Sequence, residues 1–275
     1  MPRAPTILDG PMGTELLARG VDTPLPGWSA HAIETDPDVV AAIHRDYAEA
    51  GAIVHTANTF RTQPRRFAET WREMLAKAIE LARRGTEGHK VRIAGSLPPL
   101  EDCYRPELSP PDPRPGHRLI ANALADEGVD LLLVETFPHL GEAAVAVEES
   151  VATGVPTWVS FTAGPSADLL TIDEIRRGAE KAISLGVEAV LVNCVPTHRV
   201  SEFLEPLRDL PVPFGAYANA GEAQDEVGFT ANPINPTTYV EFAEKWVEAG
   251  ASLIGSCCGT GVEHVRELHR RFAGA

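Results

Sequence analysis

The stretch "LIGSCCGT", residues 253–260, sets Cys257 and Cys258 side by side between glycines, and a third cysteine, Cys194, closes the apolar run "AVLVNC" that begins at residue 189. Thiols placed this way offer redox exchange through a vicinal disulfide, ligation of a borderline-soft metal ion, or no chemistry at all, as a buried core thiol and a chance doublet. A vicinal disulfide closes a strained ring and is reduced in a cytosol. Three thiolates with no histidine beside them suit zinc, which sulfur holds tetrahedrally. Three protein ligands also leave a fourth position open, the arrangement of a catalytic rather than a structural site. The fourth cysteine, Cys103 in "EDCYRPEL", reads as a spare thiol that a loop over the site could bring near.

Those cysteines need elements to bring them together. Short β-rich runs recur along the chain: "TILDG" at 6, "AIVHTANTF" at 52, "VRIAGSL" at 91, "DLLLVETF" at 130, "TWVSFTA" at 157, "AVLVNC" at 189, "FGAYANA" at 214 and "ASLIGSCCG" at 251. Most are near-continuous apolar runs, as parallel strands buried on both faces require. Amphipathic helices lie between them. Asp36 with Pro37 is the expected N-cap and first turn of a helix closing on Gly51, and Asn235 with Pro236 of one closing on Gly250. In the last helix Val262, Val265, Leu268 and Phe272 keep helical spacing. Eight strand–helix units predict an α/β fold, a single (β/α)8 TIM barrel. The alternative, a doubly wound open sheet, expects G-x-G-x-x-G in its first turn, where this chain has "LDGPMGTE". The loops 98–115 and 220–235, rich in Pro and charge, are expected at the catalytic end, and no linker divides the chain.

Chemistry in such a barrel is done at the C-terminal strand ends. In order these are Asp9, Thr56 with Asn58, Ser96, Glu135, Thr162, Cys194, Asn219, and Cys257 with Cys258. Cys194 ends the sixth strand and the doublet the eighth, within reach of a common ion. Asp9 and Glu135 are the acidic ends. Burying a carboxylate without a partner is costly, so the pair is expected to work as acid and base or to hold an ammonium group. The competing reading, acceptance of backbone N–H bonds in a turn, applies best to Asp9 in its "DG" turn. Trp28 in "PLPGWSA" is either a packing residue of a lid or an aromatic face for a cationic ligand. The "GTG" at 259–261 could instead cup a phosphate before the last helix.

Composition narrows the class. The chain has 275 residues, 44% of them hydrophobic, and a net charge of −15, which speaks against nucleic acid and anionic membranes as partners. No apolar run approaches the ~20 residues a membrane span needs, and no signal peptide is visible at the N-terminus. Four cysteines without a C-x-x-C pair fit a cytoplasmic protein with free thiols.

The segments "ILDGPMGTELLARGVD", "GWSA", "ANTF", "VET", "VNC" and "GSCCGT", in that order, resemble the zinc-dependent homocysteine S-methyltransferases over essentially the whole chain. The resemblance implies one homocysteine-binding barrel over residues 1–275 and Zn2+ on Cys194, Cys257 and Cys258, with the homocysteine sulfur as fourth ligand. It implies that Asp9 and Glu135 hold the homocysteine ammonium and that N–H groups from Gly10 onward take its carboxylate. Pro11, which has no N–H, moves that last role to neighbours such as Met12 and Gly13. Thr56, Asn58, Asn193 and Trp28 complete the expected substrate contacts, with Asn193 a donor to sulfur. The partners expected are homocysteine and a small methyl donor, and the chain, without a dimerisation arm, is expected to be a monomer. A sulfonium donor, S-methylmethionine or S-adenosylmethionine, is favoured over betaine, folate or corrinoid, because no cobalamin or folate module follows. A non-catalytic thiol metal-binding or redox barrel is the rival from another class.

Overall fold

The computed structural model describes residues 4–221 and 234–273. Eight parallel strands are present: β1 (Thr6–Ile7), β2 (Val54–Thr56), β3 (Arg92–Leu97), β4 (Leu131–Phe137), β5 (Thr157–Phe161), β6 (Ala189–Pro196), β7 (Phe214–Asn219) and β8 (Leu253–Ser256). Each lies inside one of the runs expected from sequence except β6, which continues past Cys194 to Pro196. Sequential neighbours pair from β2 round to β8, and β8 pairs with β1 through Thr6↔Leu253 and Ile7↔Ile254. The ring closes between β1 and β2 by the Leu8↔Val54 bridge, where Ile53 N–H donates to Ile7 O and Asp9 N–H to Val54 O, both at 2.9 Å. A sheet with no edge is a barrel, and this is a single TIM barrel.

The helices among the described residues are α1 (Met12–Ala18), α2 (Ala32–Thr35), α3 (Pro37–Glu49), α4 (Trp71–Gly85), α5 (Arg114–Asp126), α6 (Leu140–Val151), α7 (Ile172–Leu185), α8 (Val200–Leu204), α9 (Pro236–Glu248) and α10 (Val262–Phe272). Asn235 caps α9 as expected, its Oδ1 accepting from Thr238 N–H at 2.9 Å. Asp36 does not cap α3 with its side chain; only its carbonyl engages the helix, accepting from Val39 and Val40. Proline at the next position already sets the first-turn φ and has no N–H to satisfy.

Side-chain parity separates two cores. Leu8, Val54, Ala94, Leu131, Leu133, Trp158, Ala189, Leu191, Tyr217 and Leu253 fill the barrel interior, in one cluster with Cys194, Cys257 and Cys258. The alternate residues, among them Ile7, Ile93, Leu132, Val134, Val190, Val192, Ala216 and Ile254, pack outward under the helices. Alternation breaks in two places. β4 shifts register between Val134 and Phe137, with Thr136 at φ 63°, and β6 between Asn193 and Pro196, with Cys194 at φ 52°. Positive φ in residues other than glycine is strained, and both instances sit at the mouth of the barrel.

Candidate metal and substrate site at the barrel mouth

The bulge in β6 turns Cys194 inward beside Asn193, so two consecutive residues face the interior. Beyond the end of β8, Cys257 and Cys258 both point into the same space, and Cys257 N–H donates to Ala218 O at 2.8 Å. The three sulfurs lie within 4.8 Å of one another and all three residues are buried. Cys194 and Cys257 share a hydrogen bond at 2.6 Å, and Cys257 and Cys258 one at 3.9 Å. The Cys194 thiol is pushed well above its usual pKa by its hydrogen bond to Cys257 and by burial, and Cys258 by its hydrogen bond to Cys194 and by burial. A divalent ion reverses that preference, since a coordinating thiol is deprotonated outright.

The sulfur geometry fits zinc. Tetrahedral Zn–S bonds of about 2.3 Å put neighbouring sulfurs about 3.8 Å apart. The Cys257–Cys258 pair already has that spacing at 3.9 Å. Cys194 must move from Cys257 by about 1 Å to match it. An all-sulfur set excludes the hard cations magnesium and calcium, which take oxygen.

Two carboxylates share the mouth. Glu135 accepts from the Ser96 hydroxyl on β3 and from the Tyr217 hydroxyl on β7, the latter at 2.8 Å. Asp9 accepts from the backbone N–H of Thr56 at 2.8 Å. That bond comes from the neighbouring strand rather than from Asp9's own turn. Burial raises the pKa of both groups, and the charge of Glu135 adds to the effect on Asp9. Among the described residues neither carboxylate has a cationic partner within salt-bridge distance. Two desolvated carboxylates without a cation favour binding one. Tyr217, which holds Glu135, packs in the same interior cluster as the three cysteines.

The remaining expected residues divide. Gly10 packs against Tyr47, whose hydroxyl would lie 2.6 Å from a Cβ there, so the position has no room for a side chain. Trp28 opens a 3-10 turn, packs against the interior cluster and lies across Gly13, where a Cβ would come within 2.1 Å of its ring. Asn58 is spent on that turn: its Oδ1 accepts from the Ser29 hydroxyl and its Nδ2 donates to Ser29 O, both at 2.8 Å. Asn193 is bonded away from the thiols, its Oδ1 accepting from Ser160 at 2.7 Å and its Nδ2 donating to Thr136 Oγ1 at 2.8 Å. In this arrangement it clamps β4, β5 and β6 together. Thr162 accepts from Gly164 N–H at 2.9 Å, and Asn219 is fully buried with neither amide atom partnered. The phosphate cup fails: Gly259 N–H donates to Thr14 Oγ1, Thr260 N–H to Cys257 O and Gly261 N–H to His264 Nδ1. Of the two long loops, 98–115 brings Tyr104 onto the interior cluster, and residues 222–233 of the other lie outside the described residues.

Several residues were not anticipated. Tyr104, in the 98–115 loop, packs on the interior cluster that holds Cys194. Cys103 beside it is buried, its pKa pushed up to about 12 by that burial. His44 on α3 and His55 on β2 come with Asp9 into a group whose ligand-type atoms lie within 4.8 Å. His44 is pushed down to about 3 by burial and by His55, and neither of its ring nitrogens has a partner. A lone histidine in an amphipathic pattern carries no signal of such pairing. Tyr217 was legible in principle, since it shares strand parity with Asn219.

A barrel mouth with three convergent thiols and two acids lacking a cation combines a possible metal site with a place for a cationic group. More particularly, the chain belongs to the homocysteine S-methyltransferase family, whose model matches residues 6–272. It is 30% identical to the homocysteine S-methyltransferase of Escherichia coli, covering 96% of this chain and 94% of that protein. It is 27% identical to the selenocysteine Se-methyltransferase of Brassica oleracea var. italica over 97% of this chain and 88% of that one. The metallated crystal form of the Escherichia coli homocysteine methyltransferase MmuM superposes with a TM-score of 0.81, at 25% identity and over 98% and 97% of the two chains.

Proposed function

We propose that this protein is a zinc-dependent methyltransferase that moves a methyl group from a sulfonium donor, S-methylmethionine or S-adenosylmethionine, to the sulfur of homocysteine, giving methionine. The observation that carries the reading is the meeting, at one barrel mouth, of three buried thiols within 4.8 Å and two buried carboxylates without a cation. A redox or storage barrel has no use for the second feature. The metallated form of the MmuM relative supports a bound metal, and the all-sulfur donor set supports zinc.

Zinc held by Cys194, Cys257 and Cys258 would supply the Lewis acidity that keeps a bound thiol ionised at neutral pH, where a free thiol of pKa about 8.5 is only a few per cent thiolate. Asp9 and Glu135 receive the homocysteine ammonium and so fix which way its side chain points. Ser96 and Tyr217 hold Glu135 from two sides, which keeps it aimed and favours its ionised form. Tyr104 and Trp28 cover the thiols and exclude water from the reacting sulfur. The acceptor sulfur attacks the methyl carbon in line; its new S–C bond forms as the donor's breaks, and the donor leaves as a neutral thioether.

The test is methionine formation by zinc-loaded protein with S-methylmethionine, S-adenosylmethionine, betaine and methyltetrahydrofolate in parallel. Turnover with a sulfonium alone is expected. Turnover with betaine or methyltetrahydrofolate, and none with either sulfonium, overturns the donor. Silence with every donor overturns the function. Selenocysteine as a parallel acceptor tests whether the site takes selenols, as the name of the Brassica relative indicates for that protein.

A further inference from the structure

The loop that follows β2 carries a cationic pair absent from the site described so far. Thr59 Oγ1 donates to Ser96 O at 3.0 Å and Gln63 Nε2 to Pro99 O at 3.2 Å, which ties residues 59–63 to the start of the loop that brings Cys103 and Tyr104 over the mouth. Arg61 and Arg66 lie along this seam, both half-buried. The Nε of each is buried with no hydrogen-bond partner, and among the described residues neither guanidinium has an ion pair. The nearby acids are otherwise engaged: Glu101 pairs with Arg65, and Asp102 Oδ1 accepts from Tyr104 N–H at 2.8 Å.

Arg61 lies on the loop leaving the C-terminal end of β2, the mouth side of the barrel. Its guanidinium lies 5.5 Å from the Phe60 ring centroid. Burial and the neighbouring charge of Arg61 both lower the pKa of Arg66. Two partly desolvated guanidinium groups on one loop repel each other, and the buried Nε–H of each lacks an acceptor. One planar anion between them relieves both costs, and the guanidinium fork matches a carboxylate.

We propose that Arg61, with Arg66 behind it, seats the α-carboxylate of an amino-acid substrate at the rim of the mouth. The proposal rests on the methyltransferase reading for the identity of the amino acid, either the sulfonium donor or homocysteine. It restricts that substrate to one bearing a carboxylate, and it supplies an anion contact that Pro11 cannot.

The experiment is calorimetric titration of zinc-loaded parent, Arg61→Gln and Arg66→Gln with homocysteine and with S-methylmethionine. Each is repeated with its decarboxylated analogue, 3-aminopropanethiol or dimethyl(3-aminopropyl)sulfonium. Loss of a charge-assisted hydrogen bond predicts affinity lowered roughly 10- to 150-fold in Arg61→Gln for one of the two amino acids. For the matching analogue parent and variant should bind alike, and Arg61→Lys should recover part of the loss. The amino acid that loses affinity identifies the source of the carboxylate. Equal affinity of parent and both variants for both amino acids, or an equal loss with the analogues, overturns the seat. Zinc content and melting temperature of the variants establish that they are folded. Because binding is read directly, the seat can fail while methyl transfer stands, and absence of turnover leaves this readout intact.

Discussion

The Tyr217 hydroxyl donates to Glu135 Oε2 at 2.8 Å across the barrel interior, joining β7 to β4, strands that are not neighbours in the sheet. With Ser96 it opposes the burial that raises the carboxyl pKa. Tyr217→Phe removes one of these two bonds and leaves the ring. The acid form of Glu135 then persists to higher pH, so the acidic limb of the kcat/KM profile for homocysteine is expected to move upward. An unchanged limb would show that Tyr217 serves packing alone.

Cys194→Ser, Cys257→Ser and Cys258→Ser should each abolish methyl transfer and sharply lower bound zinc while far-UV circular dichroism stays that of the parent. Metal analysis of the purified variants checks the second point. Full activity in metal-stripped parent protein would falsify the zinc assignment.

Asp9→Asn and Glu135→Gln should weaken homocysteine and spare the metal. Each removes a charge facing the ammonium, worth about 1.5–3 kcal/mol. Titration with homocysteine, alongside zinc content, separates the two effects. Parent-like binding in both variants would sink the ammonium role.

His44 predicts a pH dependence of stability. It sits at about 3 in the fold, against 6.5 for the free side chain, with His55 and Asp9 as its titratable neighbours. The unfolded chain therefore binds the extra proton first as pH falls. The contribution is complete above about pH 6.5 and is lost on acidification towards pH 3, with a slope of up to about 1.4 kcal/mol per pH unit. Urea unfolding at several pH values should show this slope in the parent and a shallower one in His44→Gln. Equal slopes would remove His44 from the account.

Trp28→Ala should raise the KM for a cationic donor and leave homocysteine binding nearly unchanged. Gly13→Ala should reproduce the effect from the other side, because its new Cβ occupies space 2.1 Å from the Trp28 ring. A Gly13→Ala enzyme with parental donor kinetics would mean that Trp28 does not need its position over α1.

The eight strands were legible because each is a short apolar run, and the thiol cluster because three cysteines fall at strand ends. The partners of those end residues were not. Asn58 and Asn193 have the right type and place for substrate contacts, but the Asn58 amide is bonded to the hydroxyl and carbonyl of Ser29 and the Asn193 amide to the hydroxyls of Ser160 and Thr136. Sequence gives a strand end its address, not its hydrogen bonds. Tyr104 was hidden for another reason: nothing in a Pro-rich loop states which face of the barrel its aromatic residue will cover. Nothing in the sequence singles out Arg61 and Arg66, because only burial distinguishes an unpaired guanidinium from a surface one.

The register shift in β6 has a consequence for anyone wishing to transplant this centre. On a regular strand, cysteine after an inward-facing asparagine would point its thiol at the helices, into hydrocarbon. The ligand is thus encoded partly in the main chain, by Cys194 at φ 52°. Grafting three cysteines onto an unrelated barrel by side-chain replacement alone would deliver two inward thiols and one stranded outside. The smallest transferable unit is the kinked segment 193–196, together with the doublet it faces.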